Sequence, residues 1–156
     1  MLALLKVSSG TQRIVAEAGA SDRVDVVAAD LLSGPLTCSY DVVVLKALIQ
    51  VSQEDAVKVL MNVRGAVKPG GTIHIIGRML DNSRLTPASS VAFSMTTINL
   101  FDDGQAYTEE EYAGWLVEAG FEGFQRVSLS AGADMVTARR PQTRQWWNPR
   151  RFFEGL

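Results

Sequence analysis

Apolar positions along the chain switch between a helical period of about 3.6 residues and short unbroken runs of β-branched residues. Thr11 to Gly19 carries Ile14, Val15 and Ala18 on one face and stops at Gly19, which predicts a helix. Arg23 to Ala29 is a β-branched run that closes on Asp30. Tyr40 to Leu45 holds Val42, Val43, Val44 and Leu45 in succession, a pattern suited to a strand covered on both faces. Ser52 to Val67 predicts the clearest helix. Ser52 stands at its cap and Asp55 three residues on, and Val57, Leu60, Met61, Val63, Arg64 and Val67 follow helical spacing. Lys68-Pro69-Gly70-Gly71 ends it, and Thr72 to Gly77 reads as a strand.

Pro87 to Phe101 is apolar at helical spacing, and Asp102-Asp103-Gly104 predicts a turn. Thr108 caps a further helix, with Glu109, Glu110 and Glu111 at its positive end and Trp115 and Leu116 on its apolar face. Phe121 to Leu129 and Asp134 to Arg139 predict two strands around a turn at Ala131-Gly132. Strands alternating with helices and closed by a strand pair predict an α/β fold, with a mostly parallel sheet and an antiparallel C-terminal edge strand. Residues 1–140 form the expected domain. From Pro141 the texture changes to a tail rich in arginine and tryptophan, through Trp146, Trp147, Arg150, Arg151, Phe152 and Phe153. An acidic or aromatic partner would suit that tail, and so would loose docking of a chain end.

Composition narrows the picture. At 156 residues, 47% apolar and 21% charged, the chain suits one globular domain. A net charge of -2 gives no electrostatic reason to expect nucleic acid or an anionic membrane as partner. The lone Cys38 excludes an intrachain disulfide and fits a reducing, cytoplasmic setting. No apolar run reaches the length of a membrane span. Met1 to Val7 reads as the edge of a truncated domain rather than a signal peptide. One histidine without a cysteine cluster suggests no metal site.

Four segments, "RVDVVAADLL", "YDVVVLKALIQV", "VRGAVKPGGTIHIIG" and "AYTEEEYAGWLVEAGF", together resemble the class I S-adenosylmethionine-dependent methyltransferases of the small-molecule O-methyltransferase type. The resemblance covers roughly residues 12 to 140 and implies an incomplete Rossmann-like methyltransferase sheet. Ligands of open α/β sheets sit beyond the carboxyl ends of the strands, and Asp30, Lys46 and Asp81 follow predicted strands there. The resemblance implies S-adenosylmethionine as cofactor. Asp30 would accept from the adenine amine, Leu31 would lie on the ring, and Lys46 would stand nearby. Read alone, Asp30 equally caps the following turn, and Lys46 is an ordinary solvated lysine.

The sequence departs from the family in several places. No glycine-rich turn follows a first strand, and Ser8-Ser9-Gly10 does not replace it. In the family the first two strands lie between the third and the fourth. Their loss leaves three arrangements: direct pairing of third with fourth, a gap filled by a second chain, or a partly molten or aggregating state. Gln50 falls where many relatives carry a catalytic histidine, and glutamine orients but does not accept a proton. Ala106 falls where relatives carry an acidic residue, while Asp81 roughly matches another acidic position. Gln50 and Asp81 are therefore the candidate catalytic residues. Phe93, Met95, Asn99, Phe101 and Tyr107 are candidates for an apolar substrate pocket, each with ordinary core packing as the alternative. His74 lies within a predicted strand and reads as packing.

The function implied is methyl transfer to a hydroxyl of an aromatic or polyketide-like small molecule, with the family's dimerisation region absent and a homodimer left open. The alternative is a non-catalytic remnant of the fold that acts as an interaction module. A nucleotide-binding relative is disfavoured because neither G-x-G-x-x-G nor a P-loop is present.

Overall fold

The computed structural model of the chain describes residues 2–3, 8–46, 48, 52–102 and 104–142. Its elements in order are β1 (Leu2–Ala3), α1 (Ser8–Glu17), β2 (Val27–Ala28), β3 (Tyr40–Lys46), α2 (Gln53–Ala66), β4 (Val67–Gly77), α3 (Ala88–Leu100), α4 (Glu109–Glu118), β5 (Glu122–Ser128) and β6 (Asp134–Arg139). A four-stranded sheet has the order β3-β4-β6-β5. β3 runs parallel to β4, and β6 is antiparallel to both of its neighbours, so the closing strand pair brings the antiparallel pairings, with the C-terminal β6 inside the sheet and β5 at its edge.

β1 and β2 form a separate two-stranded parallel ladder. β2 therefore does not pair with β3, and direct pairing of the third family strand with the fourth is not what this chain adopts. The strand expected over Arg23 to Ala29 is described over Val27–Ala28 alone, paired with Leu2 and Ala3. β3 ends the larger sheet, with Val42 55% and Val44 60% exposed. A run patterned for burial on both faces is thus half uncovered.

Sequence dictates the helix ends. Ser52 accepts from the Asp55 amide and opens α2. Thr108 and Glu111 close a reciprocal capping box at α4, which satisfies two amides that a bare helix start leaves orphaned. α2 turns Ala56, Val59, Leu60, Val63 and Ala66 inward, and α4 turns in Tyr112, Trp115 and Leu116. They meet Ile73, Ile75, Val136 and Ala138 of the sheet in one core. Each large apolar side chain buried there contributes about 1.5–3 kcal/mol. Tyr107, Tyr112 and Trp115 pack edge-on, with ring centroids 4.6 to 6.4 Å apart.

β4 starts at Val67, five positions before the expected Thr72. The Lys68–Gly71 stretch ends α2 as expected but then continues extended, with a register shift between the pairs Tyr40–Val67 and Val42–Thr72. Gly71 permits this, since a Cβ there would stand 2.7 Å from the Asp41 carbonyl oxygen. α3 forms where expected but inverted. It buries Ser90 and Thr97 and exposes Met95, Ile98 and Leu100. No described element on its outer side receives the apolar residues.

Candidate functional site

Asp30 follows β2, past the carboxyl end of that strand. Its carboxylate accepts from the Leu32 amide at 2.9 Å and from the Ser33 hydroxyl at 2.6 Å. These bonds, the Ser33 hydroxyl first, hold its pKa below the ordinary carboxylate value despite some desolvation, and Lys58 adds to the effect. The turn-capping role weighed from sequence is therefore real. A carboxylate offers about four lone-pair positions, so acceptor capacity remains. The side chain is exposed. Beside it lies a cavity of about 310 Å³ bordered by Val27, Ala28, Pro35, Leu36, Cys38 and Tyr40, between β2 and the start of β3.

Leu31 is half-buried against the core, and its carbonyl accepts from Asn62 of α2 at 2.8 Å. This bond fixes the rim segment to the main body. Lys46 ends β3 with its side chain exposed. Gln50 lies outside the described residues. Leu48, just before it, is buried, and Tyr112 lies next to the Leu48 backbone. Burial pushes the Tyr112 phenol well above its ordinary pKa, so it stays neutral.

Asp81 follows β4. It accepts from Thr86 Oγ1 at 2.5 Å and from Arg126 at 3.3 Å, and the Asp81 amide donates to the Thr86 carbonyl at 2.8 Å. These contacts close a loop over residues 81–86. The Thr86 hydroxyl, then Arg126, keeps the Asp81 pKa low. This is the geometry of a loop anchor rather than of a proton acceptor.

Arg126 was not singled out in the sequence. Its guanidinium also reaches Glu109 at 3.0 Å and Asp134 at 3.2 Å. Burial by itself would lower its pKa, but the hydrogen bonds and charges of Asp134 and Glu109 outweigh that and raise it. The three carboxylates come from positions 81, 109 and 134, too scattered for any spacing rule to find them.

The substrate-pocket candidates separate. Phe93 is half-buried, with the Arg78 guanidinium 5.8 Å from its ring centroid. Asn99 is exposed and donates back to the Met95 carbonyl of its own helix at 2.6 Å. Met95 and Phe101 are exposed. Tyr107 is fully buried in the aromatic cluster, so its ring serves the core. Ala106 is also fully buried. His74 sits mid-strand in β4, 3.2 Å from Thr72 Oγ1. Among the described residues there is no cluster of three His, Cys, Asp or Glu able to hold a metal ion, and no helix is long and apolar enough to cross a membrane.

The family model of the O-methyltransferase domain matches residues 2–122. The chain belongs to this O-methyltransferase family. It is 32% identical over 126 residues to the 3-hydroxy-5-methyl-1-naphthoate 3-O-methyltransferase of Streptomyces sahachiroi, a match covering 80% of this chain and 36% of that enzyme. It is 30% identical over 105 residues to acetylserotonin O-methyltransferase of Mus musculus, covering 67% of this chain and 27% of that enzyme. Among solved structures, the S-adenosylmethionine-dependent methyltransferase SibL superposes with a TM-score of 0.83 at 25% identity, over 91% of this chain and 43% of that one. The chain thus spans well under half the length of these relatives.

O-methyltransferases of this family use S-adenosylmethionine. The human N-acetylserotonin enzyme has been solved with the cofactor bound, and PigF with S-adenosylhomocysteine. The residues described here fit one end of that group. Asp30 has spare acceptor capacity at an exposed position and is followed by the apolar Leu31, and Lys46 presents an exposed side chain at the end of β3. Toward the methionine end, no described side chain at this rim presents a matching set of donors and acceptors.

Proposed function

We propose that this chain forms the adenine-side rim and the acceptor-side helix of an O-methyltransferase acting on a hydroxyl of a small aromatic or polyketide-like molecule. The observation that carries this reading is Asp30. Its two local hydrogen bonds fix a low-pKa acceptor at the carboxyl end of the sheet, where open α/β folds take their ligands. Leu31, tied to α2 through Asn62, supplies the neighbouring apolar surface. S-adenosylmethionine, when bound, supplies an electrophilic methyl group. The exposed and half-buried residues of α3, Phe93 and Asn99 among them, line the acceptor side.

General-base catalysis finds no support at the described rim. The Thr86 hydroxyl and Arg126 hold the Asp81 pKa low, which makes it a weak base, and His74 lies within its strand. Gln50 orients an acceptor hydroxyl without taking its proton, which passes to solvent water. Alignment of donor and acceptor then supplies the acceleration, which effective molarities make sufficient for a direct displacement. The lone cysteine fits a cytoplasmic setting. A homodimer fits the uncovered Met95, Ile98 and Leu100 of α3, and sedimentation tests it by showing one species of doubled mass.

Calorimetric titration with S-adenosylhomocysteine and with adenosine tests the reading. Because among the described residues the matched ones lie at the adenine end, both ligands are expected to bind alike, with Kd about 1 mM, or about 4 kcal/mol. Asp30→Ala is expected to abolish binding. Ser33→Ala, which removes one turn bond and leaves the carboxylate, is expected to retain it. No binding at several-fold that concentration by folded chain would remove the reading. The interaction-module alternative would then stand on the exposed apolar edge of β3, where Val42 and Val44 lie uncovered.

A further inference from the structure

α2 turns one face to the core and a second to the turn that follows β2. Lys58, Asn62 and Gly65 are spaced by four and three residues, so they share one line along the helix. Each acts on the turn at a different point. The charge of Lys58 adds to the bonds that hold the Asp30 carboxylate ionised. Asn62 Nδ2 donates to the Leu31 carbonyl at 2.8 Å, in a part-buried bond. A Cβ on Gly65 would stand 3.8 Å from the Pro35 Cβ, ordinary packing distance.

These three contacts differ in what they fix. An exposed lysine acts on a carboxylate over a range of positions, and an apolar contact lets a segment slide. A hydrogen bond weakens steeply once its angle closes, so it fixes a direction. The Asn62 bond is the one of the three that can orient the turn.

Its acceptor gives it reach. The Leu31 carbonyl and the Leu32 amide are the two ends of a single planar peptide group and point in opposite directions. One end receives Asn62, and the other donates to Asp30 Oδ1 at 2.9 Å. Asn62, the Leu31–Leu32 peptide and the Asp30 carboxylate therefore form a relay of two hydrogen bonds through one rigid plate. Such chains also polarise each other, each bond strengthening the next. The Ser33 hydroxyl holds the second carboxylate oxygen at 2.6 Å, and the Ser33 amide donates to the Asp30 carbonyl at 3.2 Å, but both belong to the turn itself. Among the bonds described here, the one from Asn62 refers the carboxylate to the helical layer.

We propose that Asn62 is a positioning residue of the adenine site, setting the Asp30 carboxylate through the Leu31–Leu32 peptide group; this rests on the reading of Asp30 as the acceptor for adenine. Without the Asn62 bond the peptide plane turns about its flanking dihedrals, and the carboxylate keeps a firm hold only on Ser33. It then spends less of its time with a free lone pair aimed at the ligand.

The test compares the unmodified chain with Asn62→Leu, which keeps the volume and the helix but has no donor. Asn62→Ala carries the same test should the leucine variant fail to fold. Thr108→Ala, which weakens the α4 cap and leaves α2 intact, shows what a general loss of stability does. Two readouts are taken by NMR, the midpoint of the Asp30 carboxyl carbon against pH and the affinity for adenosine. In Asn62→Leu the midpoint is expected to rise toward the ordinary carboxylate value, and adenosine is expected to bind about fivefold more weakly, the equivalent of one hydrogen bond at about 1 kcal/mol. In Thr108→Ala both are expected to stay as in the unmodified chain. An unchanged affinity in Asn62→Leu overturns the positioning role, whatever the midpoint does. An equal loss in Thr108→Ala overturns it as well, because the effect is then one of stability. Failure of the folded, unmodified chain to bind adenosine removes the adenine reading and the positioning role together, whereas equal binding by the unmodified and Asn62→Leu chains removes the positioning role alone.

Discussion

Replacing Arg126 by methionine puts the largest electrostatic feature of the chain to a quantitative test. Arg126 is 14% exposed at the side chain and joins carboxylates from the β4–α3 loop, the first turn of α4 and the start of β6. Asp134 depends on it most. Its side chain is 6% exposed, and without Arg126 it keeps only the Ser128 hydroxyl at 3.1 Å. Removing one member of a buried pair costs about 3–5 kcal/mol, mostly through the charge left behind. The lower end applies here, because the cavity beside Asp134 admits water. The Glu109 pair, 43% exposed on the carboxylate, adds about 1 kcal/mol at most. Arg126→Met is therefore expected to lose about 3–4 kcal/mol, a large share of the roughly 5–15 kcal/mol typical of a domain. Adding Asp134→Asn removes the stranded charge and should return about 2 kcal/mol, measured as a coupling in a double-mutant cycle. Urea denaturation reads both, through a shifted midpoint at unchanged slope. A loss below about 1 kcal/mol, or strictly additive substitutions, would refute the argument that Asp134 is held by Arg126.

Other expectations follow from single contacts. Thr108→Ala breaks the capping box of α4 and should cost about 1 kcal/mol in the same urea assay, whereas an unchanged midpoint would mean the cap contributes nothing. Gly71→Ala places a Cβ 2.7 Å from the Asp41 carbonyl oxygen and 3.0 Å from that of Lys68, so it should lose about 1–3 kcal/mol and loosen the β3–β4 ladder in hydrogen exchange. Ser90→Ala removes a fully buried hydroxyl that has no hydrogen-bond partner among the described residues, so stability should hold or rise by up to about 1 kcal/mol; a loss would reveal a bound water at that site. The depressed pKa of Asp30 stabilises its turn fully above the unfolded carboxylate value of about 3.9, and that contribution is lost as pH falls through the lower folded value. Exchange of the Leu32 amide should therefore quicken only below about pH 4, and a transition near neutrality would contradict the assignment.

Much of the fold is legible in the sequence because its signals are local. Ser52 and Thr108 cap where the spacing places them, and Leu60 and Val63 of α2 with Trp115 and Leu116 of α4 join the core as expected, whereas Met61 stays exposed. The misjudged details have non-local causes. The strand at Val27–Ala28 is set by pairing with a segment more than twenty residues away, and α3 buries Ser90 and Thr97 while its apolar Met95, Ile98 and Leu100 stay exposed. At the site, Asp30 is legible as an acceptor at a strand end, but its bond to Ser33 is equally a local turn signal. Phe93 in α3 stays near the surface, while Tyr107, in the connection before the α4 cap, goes to the core through packing on Tyr112 and Trp115 that no local pattern announces. Arg126 and its acids lie up to 45 residues apart, so only the folded chain brings them together.

The contacts of Arg140 decide where this domain can be cut or joined to another protein. A piece ending at Arg139 retains every paired position between β4 and β6. A piece one residue longer also retains a guanidinium on the carbonyls of Arg64, Gly65 and Val67, which otherwise face the carboxyl end of α2 without a cation. Two expression boundaries a single residue apart therefore differ in whether the helix end is closed, and the shorter one should yield the more protease-sensitive product.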